Sequence, residues 1–463
     1  MHAEPPLPAA KPDASGKPWY KELNRYHWFV LIVCALGWMF DTMDQQLFNI
    51  ARRPAMTALL APSPGVEPDK GEVADYSGYA TSIFLIGWGS GGIIFGILGD
   101  LIGRARTMML TILLYSVFTG LSALSKGFAD FALYRFLTGL GVGGEFAVGV
   151  SLVAEAMPDR ARPFALGLLQ ALSAVGNIAA AVTGIVLAHL ARAEMIPADS
   201  WRIMFVVGAG PAFLAAFVFL RLKEPERWRA AAARYTLRER LGGYFGELFS
   251  NRRWAKHALV GLLLAASGII GLWAIGFFAI DLQQAVFDKR GRAEGLAGGE
   301  LSYYKSVWAG WTSVTLNLGA FLGIYAFSYV THYVGRRPAF AVSFVLALLS
   351  TAFVFWKFQD VADIFWMIPI MGFCQLALFG GYAIYFPELF PTRLRSTGIS
   401  FCYNVARFVA AGGPTALGLL TSRVFKDYAD PMRYAGITMC AVFVVGLAVL
   451  PFAPETKGQP LPE

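Results

Sequence analysis

The sequence predicts an all-α membrane protein of twelve transmembrane helices, arranged as two pseudo-symmetric six-helix bundles. Three observations predict it: an apolar composition, twelve apolar runs of spanning length, and two charged motifs that each occur once in either half. With 56% hydrophobic and 15% charged residues and a mean hydropathy of +0.52, the 463 residues carry more apolar surface than a soluble core could enclose. A net charge of +8 raises nucleic acid as a partner. The Lys and Arg residues, however, cluster in short stretches between apolar runs, where membrane topology accounts for them, so no nucleic-acid partner is expected. Cys34, Cys374, Cys402 and Cys440 lie inside apolar runs without CxxC spacing, which argues against a disulfide framework or zinc site. No metal and no cofactor are expected.

In chain order, residues 1–26 are polar, rich in Pro and Lys, and read as a cytoplasmic tail. No signal-peptide pattern precedes the first long run. Six spans are expected at 27–50, 78–99, 107–125, 131–154, 164–190 and 201–221, making an N-terminal bundle over 27–221. The basic stretch 222–256 is a linker, expected to be partly helical on the membrane surface. Six more spans at 257–282, 303–331, 338–358, 363–387, 397–422 and 432–452 make a C-terminal bundle over 257–452, and 453–463 form a second tail. Lys and Arg are concentrated in alternate connections, which places both termini in the cytoplasm and the chain, multi-pass, in the plasma membrane.

The repeats organise the chain. Glu155-x-x-Pro158-x-Arg160-x-Arg162 returns as Glu388-x-x-Pro391-x-Arg393-x-Arg395, and Gly103-Arg104-x-Arg106 returns as Gly335-Arg336-Arg337. A fainter echo sets Glu224-Pro225-Glu226 against Pro454-Glu455-Thr456. Two parallel repeats with a site between them near the midplane are a transporter architecture. In the turn motif, glycines let the chain reverse tightly, while Asp100 and the Arg residues can bridge helix ends whose backbone groups lack partners. Asp100, Gly103, Arg104, Arg106, Glu155, Arg160, Arg162, Arg336, Arg337, Glu388, Arg393 and Arg395 are therefore the gating candidates. The second copy carries His332 where the first has Asp100, so the two halves are not expected to lock alike.

Gly96-x-x-x-Asp100-x-x-Gly103-Arg104-x-Arg106 resembles the turn between the second and third spans of the major facilitator superfamily, and the resemblance covers essentially all the spans. Tyr134-Arg135-Phe136 with the glycine run and Glu155, and Pro454-Glu455-Thr456-Lys457-Gly458, resemble the sugar-porter branch. Gly143-Gly144-Glu145, Phe40-Asp41-x-x-Asp44 and Tyr403-Asn404-x-x-Arg407 look closer to the metabolite and aromatic-acid proton symporters. In those symporters an Asp of the first span and an Arg of the fourth form a protonation-linked pair, and Asp41 and Arg135 match those positions.

Membrane-buried charge marks the remaining candidates. Asp41 lies roughly 20 Å from the cytoplasmic end of its span, with Asp44 one helical step further out, where it is expected to approach water. Burial raises a carboxyl's proton affinity and a neighbouring guanidinium lowers it, so separation of Asp41 from Arg135 would permit proton uptake. Glu145, mid-span with no basic neighbour in sequence, is a second candidate proton carrier. Substrate contacts are expected from Gln170, Asn177, Trp273, Asn317, Gln375, Asn404 and above all Arg407, whose fork suits bidentate capture of a carboxylate. The function expected is proton-coupled symport of a small organic acid, carboxylate or aromatic, by alternating access in a monomer, and not an enzyme. A sugar or polyol symporter is the alternative, and a transporter-like sensor a remote one.

Overall fold

A computed structural model describes residues 18–61, 68–197, 201–210, 222–233, 244–410 and 413–462. All regular structure in the described residues is helical. The first half comprises α1 (Arg25–Leu60), α2 (Lys70–Ile102), α3 (Arg104–Ser122), α4 (Phe128–Ala156), α5 (Arg162–Arg192) and α6 (Trp201–Gly208). The rest of the sixth expected run, 211–221, lies outside the described residues. In the linker, α7 (Glu226–Ala233) and α8 (Tyr244–Ser250) are helical, while 234–243 is not among the described residues.

The second half begins with α9 (Arg252–Ile269), which passes through a π-helical segment (Ile270–Ile275) into α10 (Gly276–Ala293). Then come α11 (Gly298–Val334), α12 (Arg336–Lys357) and α13 (Met367–Leu389). The eleventh span is segmented into α14 (Arg395–Ser400), a π segment (Phe401–Val405), α15 (Ala406–Ala410), α16 (Gly413–Leu419) and a further π segment (Leu420–Val424). The last span is α17 (Pro431–Met439) with α18 (Val442–Val449).

Ten helices among the described residues are long and apolar enough to cross a membrane; of the other two expected spans, the sixth is described as helix only over Trp201–Gly208 and the eleventh is the segmented run above. Helix ends lie within a few residues of most apolar runs, because about 20 apolar residues are needed to cross the hydrocarbon. The exceptions are α1, which runs to Leu60 rather than 50, α2, which starts at Lys70 rather than 78, and α10, which ends at Ala293 rather than 282; α1 and α11, 36 and 37 residues long, must at 1.5 Å per residue project well beyond a ~30 Å core.

Small residues set the packing, as expected where lipid removes any hydrophobic drive between helices. A Cβ on Gly91 would overlap the Leu140 carbonyl, and one on Gly143 would overlap that of Trp88, so α2 and α4 approach backbone to backbone. Another stripe on α2 admits the second half: Gly89, Gly92, Gly96 and Gly99 face Phe408, Asn404, Ser400 and Ser396 of the eleventh span. All four cysteines are buried and free.

Candidate functional site

The polar residues of the spans gather in two places. One is a column of buried charge beside α1. Residues three or four apart share a helix face, which lines up Gly37, Asp41 and Asp44. Gly37 makes room for the Glu145 carboxyl of α4, which any side chain there would overlap. At the outer end Arg135 faces Asp44, Nη1 to Oδ2 3.7 Å, while Thr119 Oγ1 of α3 donates to Asp44 Oδ1 at 2.9 Å. The guanidinium also donates to Ser122, Thr119 and Thr138 hydroxyls at 3.1, 3.2 and 2.9 Å, and it lies 4.8 Å from the Phe205 ring.

Two expectations are corrected here. The partner of Arg135 is Asp44, not Asp41: Asp44 sits about 4.5 Å further along α1, at the depth Arg135 reaches from the other end of α4. Asp44 is also fully buried rather than wet, enclosed by α3, α4 and α6. Glu145, 1% exposed, accepts no hydrogen bond at either carboxyl oxygen among the described residues, and Asp41, 0% exposed, has beside it only the Gln45 amide, one turn on along α1. The buried hydroxyls of Tyr115 and Ser116 on α3 lie beside one another near this column. Asp41 lies within electrostatic range of Glu145, Asp44 and Arg407.

Arg407 forms the other wall. Its guanidinium carbon stands 3.8 Å from the Trp88 ring of α2 and 4.3 Å from the Tyr403 ring, one turn back on its own span. Tyr403 in turn stacks on Phe146 of α4 at 4.2 Å, and Phe146 lies 4.8 Å from Trp38 of α1. The Nη1 group donates to Asn404 Oδ1; buried Nε has no partner among the described residues. Asn404 also donates to Ser400 Oγ at 3.0 Å.

The remaining substrate candidates divide. Gln170 is buried with an unpartnered Oε1. Asn177 donates to Asn317 across the two halves at 3.0 Å, and Asn317 donates to the Ser313 carbonyl at 2.8 Å. Gln375 donates to the Gly271 carbonyl at 2.9 Å, serving a backbone group of the π segment rather than an open site. The side chain of Trp273 lies outside the described residues.

The second place is the face carrying Trp19 and Pro462, where both turn motifs meet. Gly103 and Gly335 adopt φ of 114° and 96°, a region favouring glycine, and turn the chain from α2 into α3 and from α11 into α12. Asp100 pairs with Arg104 at 2.8 Å and accepts from the Thr397 amide and hydroxyl at 2.8 and 2.7 Å. Arg104 reaches Glu155 at 3.0 Å and the Thr392 carbonyl at 2.7 Å, and Arg395 reaches the same Glu155 oxygen at 2.9 Å.

The second copy is built differently. Arg336 makes a two-pronged pair with Glu388 at 2.7 and 3.0 Å, and Thr456 Oγ1 donates to Glu388 at 2.6 Å. His332 packs 5.1 Å from Phe164. Arg162, the repeat mate of Arg395, stays in its own half with Asp159 and the Ala154 carbonyl. Arg160 pairs with Glu22 at 2.7 Å, Arg393 pairs with Glu247, and Arg337 Nη2 donates to the Pro451 carbonyl at 3.4 Å.

Two carboxylates that motif reading undervalued cap the turns. Glu224 accepts the Ala105 and Arg106 amides, both at 3.2 Å; Glu455 accepts those of Arg336 and Arg337 at 2.9 and 3.0 Å. Each places negative charge at a helix N-terminus with orphan amides. The structural mate of Glu224 is thus Glu455, one residue off the expected echo: Arg106 to Glu224 and Arg337 to Glu455 both span 118 residues. Sequence reasoning also missed Trp88, Phe146 and the ring of Tyr403; the i, i+4 spacing of Tyr403 and Arg407 was a usable signal.

The fold and its paired turns are those of a polytopic membrane protein built from two repeated halves. The family model described as sugar (and other) transporter matches residues 45–241. The probable 4-methylmuconolactone transporter of Cupriavidus pinatubonensis is 29% identical over 445 residues, covering 95% of this chain and 93% of that protein. The cis,cis-muconate transport protein of Acinetobacter baylyi is 28% identical over 350 residues, 75% of this chain and 78% of that one. Among solved structures, the proton:xylose symporter XylE superposes with a TM-score of 0.70 at 16% identity, over 94% of this chain and 98% of that one, a likeness of fold. In sequence the chain is thus similar to metabolite and sugar transporters, and in fold to a transporter of the major facilitator superfamily.

Proposed function

We propose that this protein couples inward proton flow to the uptake of a small organic anion, a carboxylate or aromatic acid, across the plasma membrane by alternating access. The observation that carries the reading is Arg407, buried against aromatic rings with Nε unpartnered, within electrostatic range of a fully buried Asp41 to which it is not bonded. A permanent cation with a free edge suits a carboxylate. Buried carboxyls outside any ion pair suit reversible protonation, and the assignments are Asp41 and Glu145 as carriers, with Asp44 and Arg135 as the adjoining fixed pair. Names of the relatives, a muconate and a muconolactone transporter, support the substrate class.

In this reading the contacts joining Asp100 to Thr397 and Arg395 to Glu155 gate the face that carries both ends of the chain, which is cytoplasmic by its basic residues. The two bundles, 27–221 and 257–452, rock about the site, and the monomer suffices. Bound substrate drives that change only through different affinity for the two states. A sugar reading draws on the family description but has less support, because Asn177, Asn317 and Gln375 already spend hydrogen bonds on one another or on backbone.

The test is uptake of benzoate and cis,cis-muconate into proteoliposomes with and without an imposed proton gradient. Accumulation should require the gradient, vanish in Arg407→Ala, and in Asp41→Asn give way to counterflow exchange alone. Gradient-independent uptake would remove the coupling, and unchanged anion uptake by Arg407→Ala would remove the anion site.

A further inference from the structure

We propose that Trp88 and Tyr403 are the positioning residues of Arg407: the two rings packed against the guanidinium hold it in place and leave the edge carrying Nε as the approach for a carboxylate. The inference rests on the reading of Arg407 as the anion site and deepens it. All five N–H groups of a guanidinium point outward in its plane, and its faces offer no donor. Trp88 at 3.8 Å and Tyr403 at 4.3 Å therefore consume no hydrogen-bonding capacity, while their ring faces stabilise the positive charge. Tyr403 carries Phe146 at 4.2 Å, too close for both neighbours to share one ring face, so the order is Trp88, Arg407, Tyr403, Phe146.

The order alternates between halves: α2 and α4 supply Trp88 and Phe146, and the eleventh span supplies Arg407 and Tyr403 between them. The site is therefore assembled from both halves. This packing also accounts for a pairing that is absent. Asp41 lies within electrostatic range of Arg407, yet its carboxyl accepts no hydrogen bond from it. A guanidinium packed against two rings and tied through Nη1 to Asn404 is held away from that carboxylate. The rings thus keep a cation available for substrate and a carboxylate available for a proton, where a direct ion pair would have silenced both.

The experiment compares ring-preserving with ring-deleting substitutions in the full-length protein: Trp88→Phe against Trp88→Leu, and Tyr403→Phe against Tyr403→Leu. Benzoate and cis,cis-muconate are the probes, read by ligand-induced thermal shift and by uptake kinetics in proteoliposomes. Each Leu variant should raise KM about tenfold with Vmax within about twofold of wild type, and each Phe variant should stay within about threefold in KM. Should Trp88→Leu fail to fold, the Tyr403 pair decides alone. Leu variants with wild-type KM, or Phe and Leu variants impaired alike, would overturn the positioning role while leaving the anion site standing. A wild-type protein that neither binds nor transports either anion would overturn the anion reading, and the positioning role with it.

Discussion

Arg395 of the second half donates to Glu155 of the first at 2.9 Å, on an oxygen that Arg104 also holds at 3.0 Å. The repeat mate of Glu155, Glu388, receives only its own half's Arg336 and Thr456 among the contacts described. One acidic residue per repeat therefore does two jobs: Glu388 stiffens a bundle, and Glu155 joins two. Removing one member of a buried pair leaves the other charge uncompensated, at a cost of about 3 kcal/mol or more. Glu155→Gln should therefore loosen the join between halves, seen as faster amide exchange over residues 395–400. Glu388→Gln should leave exchange there nearly unchanged and raise it at Arg336 and Arg337.

Asp41 and Asp44 offer a sharp contrast in stability. Asp44 balances Arg135 and accepts from Thr119, so Asp44→Asn should lower the unfolding free energy in detergent by about 3 kcal/mol. Asp41 has no ion pair and only the Gln45 amide beside it, so Asp41→Asn should leave stability within about 0.5 kcal/mol of wild type or raise it. Equal losses for the two variants would mean that Asp41 has a structural partner in the folded protein.

Strong acid should release the Glu455 cap. Burial raises the proton affinity of this carboxyl, but the donated amides of Arg336, Arg337 and Lys457, with the charge of Arg336, outweigh it and hold its pKa below the ordinary 4.5. A depressed folded-state pKa contributes stability that is present above 4.5 and lost as pH falls through the lowered value. Amide exchange at 336 and 337, corrected for its intrinsic pH dependence, should lose protection as pH drops below 4.5. Glu455→Gln should show that loss already at neutral pH.

Packing gives a prediction independent of charge. Gly143 meets the backbone of α2, where nothing flexible can yield, so Gly143→Val should prevent the two helices from docking and abolish recovery of folded protein. Gly149, with nothing within 4 Å of an added Cβ, should accept Ala with little change in melting temperature. The pair separates close approach from a general need for glycine in α4.

Much of this was legible along the chain, and the reason is one of range. Spans announce themselves through some 20 consecutive apolar residues, and the turn motifs through glycines beside charges; both signals are local. The repeats set Glu388 against Glu155 and Arg336 against Arg104, without saying which acid meets which base. What escaped depends on how helices sit against each other. A shift of one helical step between α1 and α4 decides whether Arg135 meets Asp41 or Asp44, and apolar runs locate helix ends no better than that. Likewise, nothing near Trp88 in sequence points to Arg407, which packs on it from the other half.

By itself, then, the sequence determined a membrane protein of two repeated halves, which residues are charged at depth, and where each half turns back. Those properties follow from hydropathy and local backbone chemistry, which each stretch of chain carries with it. The tertiary structure alone decided which acid answers which base, which amides are already spent, and that a cation of one half lies against aromatic rings from both. Such matters turn on displacements of a few ångströms and rotations between packed helices, set by glycine contacts and side-chain volumes summed over whole interfaces.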